Sequence, residues 1–451
     1  MASTHLERTA GSTGNRRTWT WSSWVRRAAV PGTADAKGGL FATKTDANNR
    51  LDFGIDANHK FFFKENLSGS TNIDFTSTQT FSDPGAYYHI VLAVDTTQST
   101  SSNRVKVYVN GSQITEWADS TYPSENYDTL MNVSGRTYYI GSTDGSSNYW
   151  NGLMSHIHFC DGTALAPTIF GSTDSSTGQW SINTSPSFTP GTNGFTVLKD
   201  GSTITDQSAN SNNFSLGGGT LTNTEDCPDN VFATLNPLDN YYTIHTFSNA
   251  NTTVTSPSTG YSGVIGGLGA NSGKYYFEFK PISKTGDADE YVVGIAAQSV
   301  VSINQPHYKM ATGYMYTGVN GNKINNDTSS SYGNTFTAGD IVGVAMDLDN
   351  LKLYFSKNGT WQTSGDPTSG STGTGAAFTL TAPSETEIGY YLPCCAFVSN
   401  SAGATMSFNF GNGFFQTSAI SSEGTNASGI GKFEYDVPAG YTALSTKGLN
   451  E

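Results

Sequence analysis

Apolar residues recur along this chain mainly with a period of two. Leu51, Phe53 and Ile55 alternate with polar neighbours, as do Val105, Val107 and Val109 and, far downstream, Leu351, Leu353 and Phe355. Residues two apart share one face of a strand, so the pattern predicts half-buried β-strands. Longer apolar runs at 87–94, 291–297, 340–347 and 390–398 predict central strands covered on both faces. The stretch 18–25, with Trp19, Trp21 and Trp24 among Thr, Ser and Val, reads as a further strand. Two alternating runs end in Asn-Gly, at Asn110-Gly111 and Asn358-Gly359, and each is followed by a tryptophan, Trp117 or Trp361. Asn-Gly suits a type I′ hairpin turn, whose two central residues need positive φ. No window of about 12 residues keeps a 3.6 period, so long helices are not expected. A single helical turn is expected near Ala166-Pro167-Thr168-Ile169-Phe170.

The runs fall into two groups. Between Gly171 and Val231 the apolar content drops and Ser, Thr, Asn and Gly dominate. Such a segment cannot bury a core of its own and reads as a connector lying along its neighbours. The expected fold is all-β: two antiparallel β-sandwich domains of jelly-roll type, 1–171 and 236–451, joined by an extended connector over 172–235. A last strand is expected to return over 433–444.

Composition narrows the roles open to this chain. With 23 Lys+Arg against 37 Asp+Glu, the net charge of −14 repels polyanions, so nucleic acid is not an expected partner. No apolar run approaches the length of a membrane span, so no insertion into a membrane is expected. The 12% aromatic content argues against disorder. Cys160, Cys227, Cys394 and Cys395 form no Cys-x-x-Cys pair, which suggests neither zinc nor a disulfide framework. Adjacent in a strand, Cys394 and Cys395 are expected to point to opposite faces. Residues 1–15 hold no apolar stretch, so synthesis in a cytoplasm without a secretory signal is expected. The polar, low-lysine surface suits a protein that ends outside a cell, as on a virus particle released by lysis.

Some segments carry family resemblances. Thr18 to Arg27, Tyr88-His89-Ile90-Val91 leading to Val105–Gly111, and Ile140-Gly141 leading to Asn151-Gly152-Leu153 resemble laminin-G-like, concanavalin-A-like jelly rolls over roughly residues 1–171. Lys274-Tyr275-Tyr276-Phe277-Glu278-Phe279, Val293-Gly294-Ile295-Ala296, Asp340 to Val344, Leu351 to Gly359, Leu392-Pro393 and Phe408-Asn409-Phe410-Gly411 resemble a SPRY domain. The pair, joined by Phe232 to Leu238, is similar to structural proteins of aquatic bacteriophages. The resemblance implies a virion protein, in a tail fibre or another surface appendage. It would be made in the host cytoplasm and exposed on the particle. Its implied partners are other virion proteins, further copies of itself (as a trimer, for example) and a host-surface glycan or receptor. Laminin-G domains often hold calcium between loop acids; Asp95 occupies such a loop, but no second acid accompanies it and the site is not carried over.

No catalytic constellation is legible. Glycosidases on a jelly roll use closely spaced acids that flank one bond, and a Glu-x-Asp-x-x-Glu pattern is absent. Asp287-Ala288-Asp289-Glu290 is an acidic cluster that reads as a solvated loop. Gly-x-Ser-x-Gly, Walker and His-Glu-x-x-His motifs are absent. His156 and His158 share a strand face but lack a third ligand, so no metal site is expected; His89 reads as a satisfied histidine at the core edge. No catalytic residue and no cofactor are expected. Aromatic rings near polar loops are better candidates, because the apolar faces of sugars stack on them. The candidate ligand-binding residues are Trp117, Tyr122 and Tyr127 in the first domain and Tyr314, Tyr316, Tyr332 and Trp361 in the second, with core packing as the alternative for each. Trp19, Trp21, Trp24 and Trp150 read as structural. The favoured role is binding without catalysis. A purely structural decoration or fibre component and a carbohydrate-active enzyme are the rivals.

Overall fold

A computed structural model describes residues 3–28, 38–241, 245–256, 262–284, 291–299, 305–397 and 403–451. The chain divides into two compact units, 1–223 and 224–451. Among the described residues the regular structure is strand, with a few single 3₁₀ turns, one of them at Pro167–Ile169 where a helical turn was expected. The all-β expectation holds.

In the first unit an eight-stranded antiparallel sheet runs in the order Trp117–Thr121, Ser70–Thr80, Lys60–Leu67, Asn49–Ile55, Gly38–Asp46, Thr137–Ile140, His5–Thr9, Ser215–Gly218. A six-stranded sheet runs Phe195–Val197, Gly152–Asp161, Thr18–Arg27, Tyr88–Asp95, Val105–Val109, Ser112–Gln113. One buried cluster holds the inward residues of both sheets, including Trp19, Trp21, Phe41, Phe53, Phe63, Leu92 and Phe159. Trp21 stacks on Phe41 with ring centroids 4.4 Å apart. Trp150 closes the same core, so the four tryptophans read as structural, Trp24 included, are all buried.

The segment read as a connector is more integrated than its composition suggests. Phe195–Val197 pairs with Ile157, His158 and Phe159 and extends the six-stranded sheet. Ser215–Gly218 pairs with His5–Thr9 and extends the eight-stranded one. Short edge strands of this kind need few apolar residues of their own, because a neighbouring sheet supplies the ladder. Phe195 and Phe214 are their anchors, in contact at 4.7 Å.

In the second unit a seven-stranded sheet runs Leu235–Tyr241, Ser262–Gly266, Leu392–Phe397, Tyr291–Ala296, Gly313–Thr317, Asn322–Asn325, Thr328–Ser331. It shares a core with a nine-stranded sheet centred on Lys274–Lys284, which is flanked by Ala404–Asn409 and Val342–Asp347. Cys395 lies in this core, whereas Cys394 lies in a smaller cluster with Ile265, Met315 and Tyr308, so the two thiols do point to opposite faces. Burial pushes both thiols up from their ordinary pKa. The returning segment ends in Thr442–Ala443, which pairs in parallel with Tyr275 and Tyr276.

Both Asn-Gly turns form as expected. Asn110 and Gly111 have φ of 48° and 77°, and Asn358 and Gly359 have 48° and 78°.

Candidate binding surfaces

Two of the sequence candidates, Trp117 and Tyr122, share a contact on Phe75, and a third, Tyr127, is bonded to Glu65 on the neighbouring strand. Phe75 and Glu65 are on inward positions of neighbouring strands. Trp117 packs edge-on to Phe75 at 5.0 Å and Tyr122 does so at 4.8 Å. Tyr127 donates its hydroxyl to Glu65 at 2.6 Å, and Leu130 N donates to the second oxygen of the same carboxylate at 3.0 Å. Desolvation pushes the fully buried Glu65 up to about 7, against the pull of those two donors. Trp117, Tyr122 and Tyr127 each keep part of their ring at the surface, beside exposed Glu116, Asp119 and Glu125. Trp117 opens the strand Trp117–Thr121, which among the described residues pairs on one side only, with Ser70–Thr80. Glu65 is not among the candidates read from the sequence. Its signal was parity: in Phe61, Phe63, Glu65 it is the one charged residue at inward spacing.

The candidates of the second unit separate. Tyr314 and Tyr316 are not loop residues. Both lie on the strand Gly313–Thr317, pointing into the sandwich core at 5% and 0% exposure. Tyr316 donates to the carbonyl of Asn334 and packs on Phe336 and Phe355. Their spacing of two puts both on one face, and that face is the inner one, so neither ring can stack on a ligand. Tyr332 and Trp361 are half-buried at the rim. Asn334 N donates to the Gln362 side-chain oxygen at 2.7 Å, and the Thr363 hydroxyl donates to the Tyr332 carbonyl at 2.5 Å, so the two loops abut. Thr363 and Ser364 hold φ of 55° and 53°, a left-handed turn without glycine. Lys323 stands over Phe378 at 5.2 Å and over Tyr332 at 5.9 Å. Lys323 and Gln362 carried no signal in the sequence.

The acidic stretch 287–290 lies outside the described residues. Asp95 caps its own turn, accepting from Thr97 N at 3.1 Å and from the Gln98 amide at 2.6 Å. Among the described residues no three His, Cys, Asp or Glu side chains gather as metal ligands.

One geometry resembles a nucleophile and its base. Ser22 Oγ lies 2.9 Å from His89 Nε2, both groups buried. However, Trp180 Nε1 points at His89 Nδ1 from 3.0 Å. An indole nitrogen only donates, so Nδ1 is the acceptor and Nε2 carries the hydrogen. His89 therefore donates to Ser22 and cannot withdraw its proton in this arrangement. Burial holds the imidazole far below its ordinary range, at about 3, as a neutral ring.

Comparison with known proteins agrees with the two units. Residues 2–170 match a family model, Laminin_G_3, described as the concanavalin A-like lectin/glucanases superfamily. Residues 274–413 match the SPRY domain. The chain thus carries a concanavalin A-like domain at its N-terminal side and a SPRY domain at its C-terminal side. Ran-binding protein 9 of Danio rerio is 38% identical over 92 residues, which is 20% of this chain and 15% of that protein. Its Homo sapiens counterpart is 37% identical over 92 residues, 20% of this chain and 12% of that protein. The chain thus spans only a small part of the curated relatives it matches. Among solved structures, the SPRY domain of human HERC1 is 20% identical with a TM-score of 0.30, covering 39% of this chain and 96% of that one. A SAP-like pentraxin from Limulus polyphemus is 18% identical with a TM-score of 0.26, covering 36% and 71%.

Proposed function

We propose that this chain is a non-enzymatic binding protein whose concanavalin A-like domain contacts a glycan at the Trp117, Tyr122 and Tyr127 rim. The observation that carries the reading is a row of three partly exposed aromatic rings, two packed on Phe75 and one bonded to Glu65 on the neighbouring strand, with exposed acids and hydroxyls beside them. Stacking on a sugar face with flanking hydrogen-bond acceptors is the chemistry such a rim supports. The SPRY domain would supply a second contact, to protein, through Tyr332, Trp361 and the Gln362 turn. Pairing of the two domains, together with the acidic, low-lysine composition, supports placement on a bacteriophage particle as a tail-fibre or appendage protein facing the host. Repeated copies would turn weak individual contacts into useful avidity.

The test is binding of the purified full chain to a glycan array and to host cells. Binding that Trp117→Ala and Tyr122→Ala each weaken by about tenfold or more, with unchanged far-UV spectra, is the expected result. A folded chain that binds neither array nor cells points to the purely structural role instead. Release of reducing sugar from host polysaccharide would replace the reading with an enzymatic one.

A further inference from the structure

The first unit has a covered face that the binding reading does not use. Along Thr18–Arg27 the inward positions are Trp19, Trp21 and Val25, so Thr20, Ser22 and Trp24 face outward from the six-stranded sheet. By the same parity His89, Val91 and Ala93 share that outer face, joined by His158 and Cys160. Yet Trp24, His89, His158 and Cys160 are all buried. What covers them is the segment 163–190. Phe170 stacks on His158 at 5.5 Å, and Phe188 meets the same ring edge-on at 5.7 Å. Trp180 hydrogen-bonds His89, which itself stacks on Trp24 at 4.8 Å.

This strap is held in an unusual way. Among the described residues its own two strands, Gly171–Thr173 and Trp180–Ile182, pair only with each other. Among the described residues, backbone-to-backbone hydrogen bonds of 163–189 close within the segment, while bonds at Gly162 and Pro190 hook its two ends to the unit. Between the hooks it is attached by side chains: Trp180 to His89, Thr20 to Thr163 O and Leu165 N, and Cys160 to Thr189 O. A segment without a ladder to its sheet can open as a unit while the sheet stays intact.

From this geometry we infer that the strap 163–190 is an acid-released latch, with His89 and His158 as its two pins. Protonation of His89 at Nδ1 sets a donor against the Trp180 N–H and places a cation between two indoles without a counter-charge. Protonation of His158 puts a cation between Phe170, Phe188 and the Thr196 hydroxyl, which lies 3.0 Å from Nδ1. The titratable groups sharing the face or its margin are Arg26, Lys106, His156 and Lys199, with Tyr108 and Cys160 neutral. Four acids border it, and each is already engaged: Asp95 by Thr97 and Gln98, Asp161 by Asn15 N, Asn193 N and the Asn132 amide, Asp174 by Ser176 and Thr177, Asp206 by Thr196 N and Ser208. His156 and Lys199 add repulsion to the burial that holds His158 at about 3. In the opened strap both rings return to water and to ordinary values near 6.5. The open form thus binds more protons between those limits, and acid favours it by on the order of tens-fold per histidine.

The test is hydrogen–deuterium exchange of the full chain at about pH 4.5 and about pH 7.5, corrected for intrinsic rates. Amides of 163–190 are expected to gain at least about tenfold in corrected exchange on acidification, while those of Tyr88–Asp95 stay protected. The double variant His89→Gln, His158→Phe is expected to lose that acid response. Parallel acceleration of strap and sheet, no strap response in the wild type, or an undiminished response in a folded double variant would each overturn the latch. Should the double variant not fold, the wild-type contrast between strap and sheet decides alone.

Discussion

Trp180 donates its indole N–H to Nδ1 of His89 across 3.0 Å, and that one bond sets the tautomer of a fully buried imidazole. Trp180→Phe keeps an aromatic ring but removes part of the indole and leaves Nδ1 without its donor. We expect a loss of about 1–2 kcal/mol in denaturant unfolding. Nitrogen NMR of the wild type should show Nε2 protonated and Nδ1 bare at neutral pH. A bare Nε2 would contradict the assignment.

The two Asn-Gly turns do more than reverse the chain. A Cβ on Gly111 would lie 2.4 Å from the Trp180 ring, and one on Gly359 would lie 2.7 Å from the Tyr435 ring. Each turn is therefore a seat for an aromatic side chain from a later segment. Gly111→Ala and Gly359→Ala combine a strained positive φ with a steric clash, so each is expected to cost more than about 1 kcal/mol. Thermal unfolding measures the cost, and Gly111→Ala should also raise strap exchange at neutral pH.

Glu278 ties the C-terminal return to the central strand of its sheet. It accepts from Glu434 N at 3.0 Å, Tyr435 N at 2.9 Å and the Asn409 amide at 3.0 Å. Desolvation nevertheless pushes it up to about 7 from 4.5. The folded state then holds more protons than the unfolded state between those values, so this group's stabilisation is complete at low pH and fades as pH rises to about 7. The swing is at most about 3 kcal/mol. Glu278→Gln should remove that slope from the pH profile of unfolding. Unchanged slopes would show that the carboxyl stays ionised on its donors.

Tyr316 and Trp117 separate packing from recognition. Tyr316→Ala empties a core position and is expected to cost about 3–5 kcal/mol, as other buried aromatic truncations do. Trp117 is only half-buried against the core, so Trp117→Ala should cost less. Chemical denaturation of the two variants side by side checks the order.

Much of the fold was legible because a strand announces itself locally. Alternation at 51–55 and 105–109, the Asn-Gly pairs and the tryptophans of 18–25 all placed their strands and faces correctly. The candidate surfaces were less legible, since exposure of an aromatic depends on which layer its strand joins. Tyr314 and Tyr316 resembled rim residues by their setting among Gly, Thr and Asn, yet their strand sits inside the seven-stranded sheet. Trp117, Tyr122 and Tyr127 are spread over 117–127, and only pairing of Trp117–Thr121 with Ser70–Thr80 brings Trp117 and Tyr122 to Phe75.

By itself the sequence determined the strand periodicity, the turn chemistry, the absence of long helices among the described residues and the acidic composition, because each follows from neighbours within a few residues. Tertiary structure alone decided that 163–190 would cover a sheet face, that His89 would be a neutral acceptor, and that Glu65 and Glu278 would be buried. Those outcomes depend on which distant segments share one desolvated space, and no local pattern encodes the dielectric a side chain will meet.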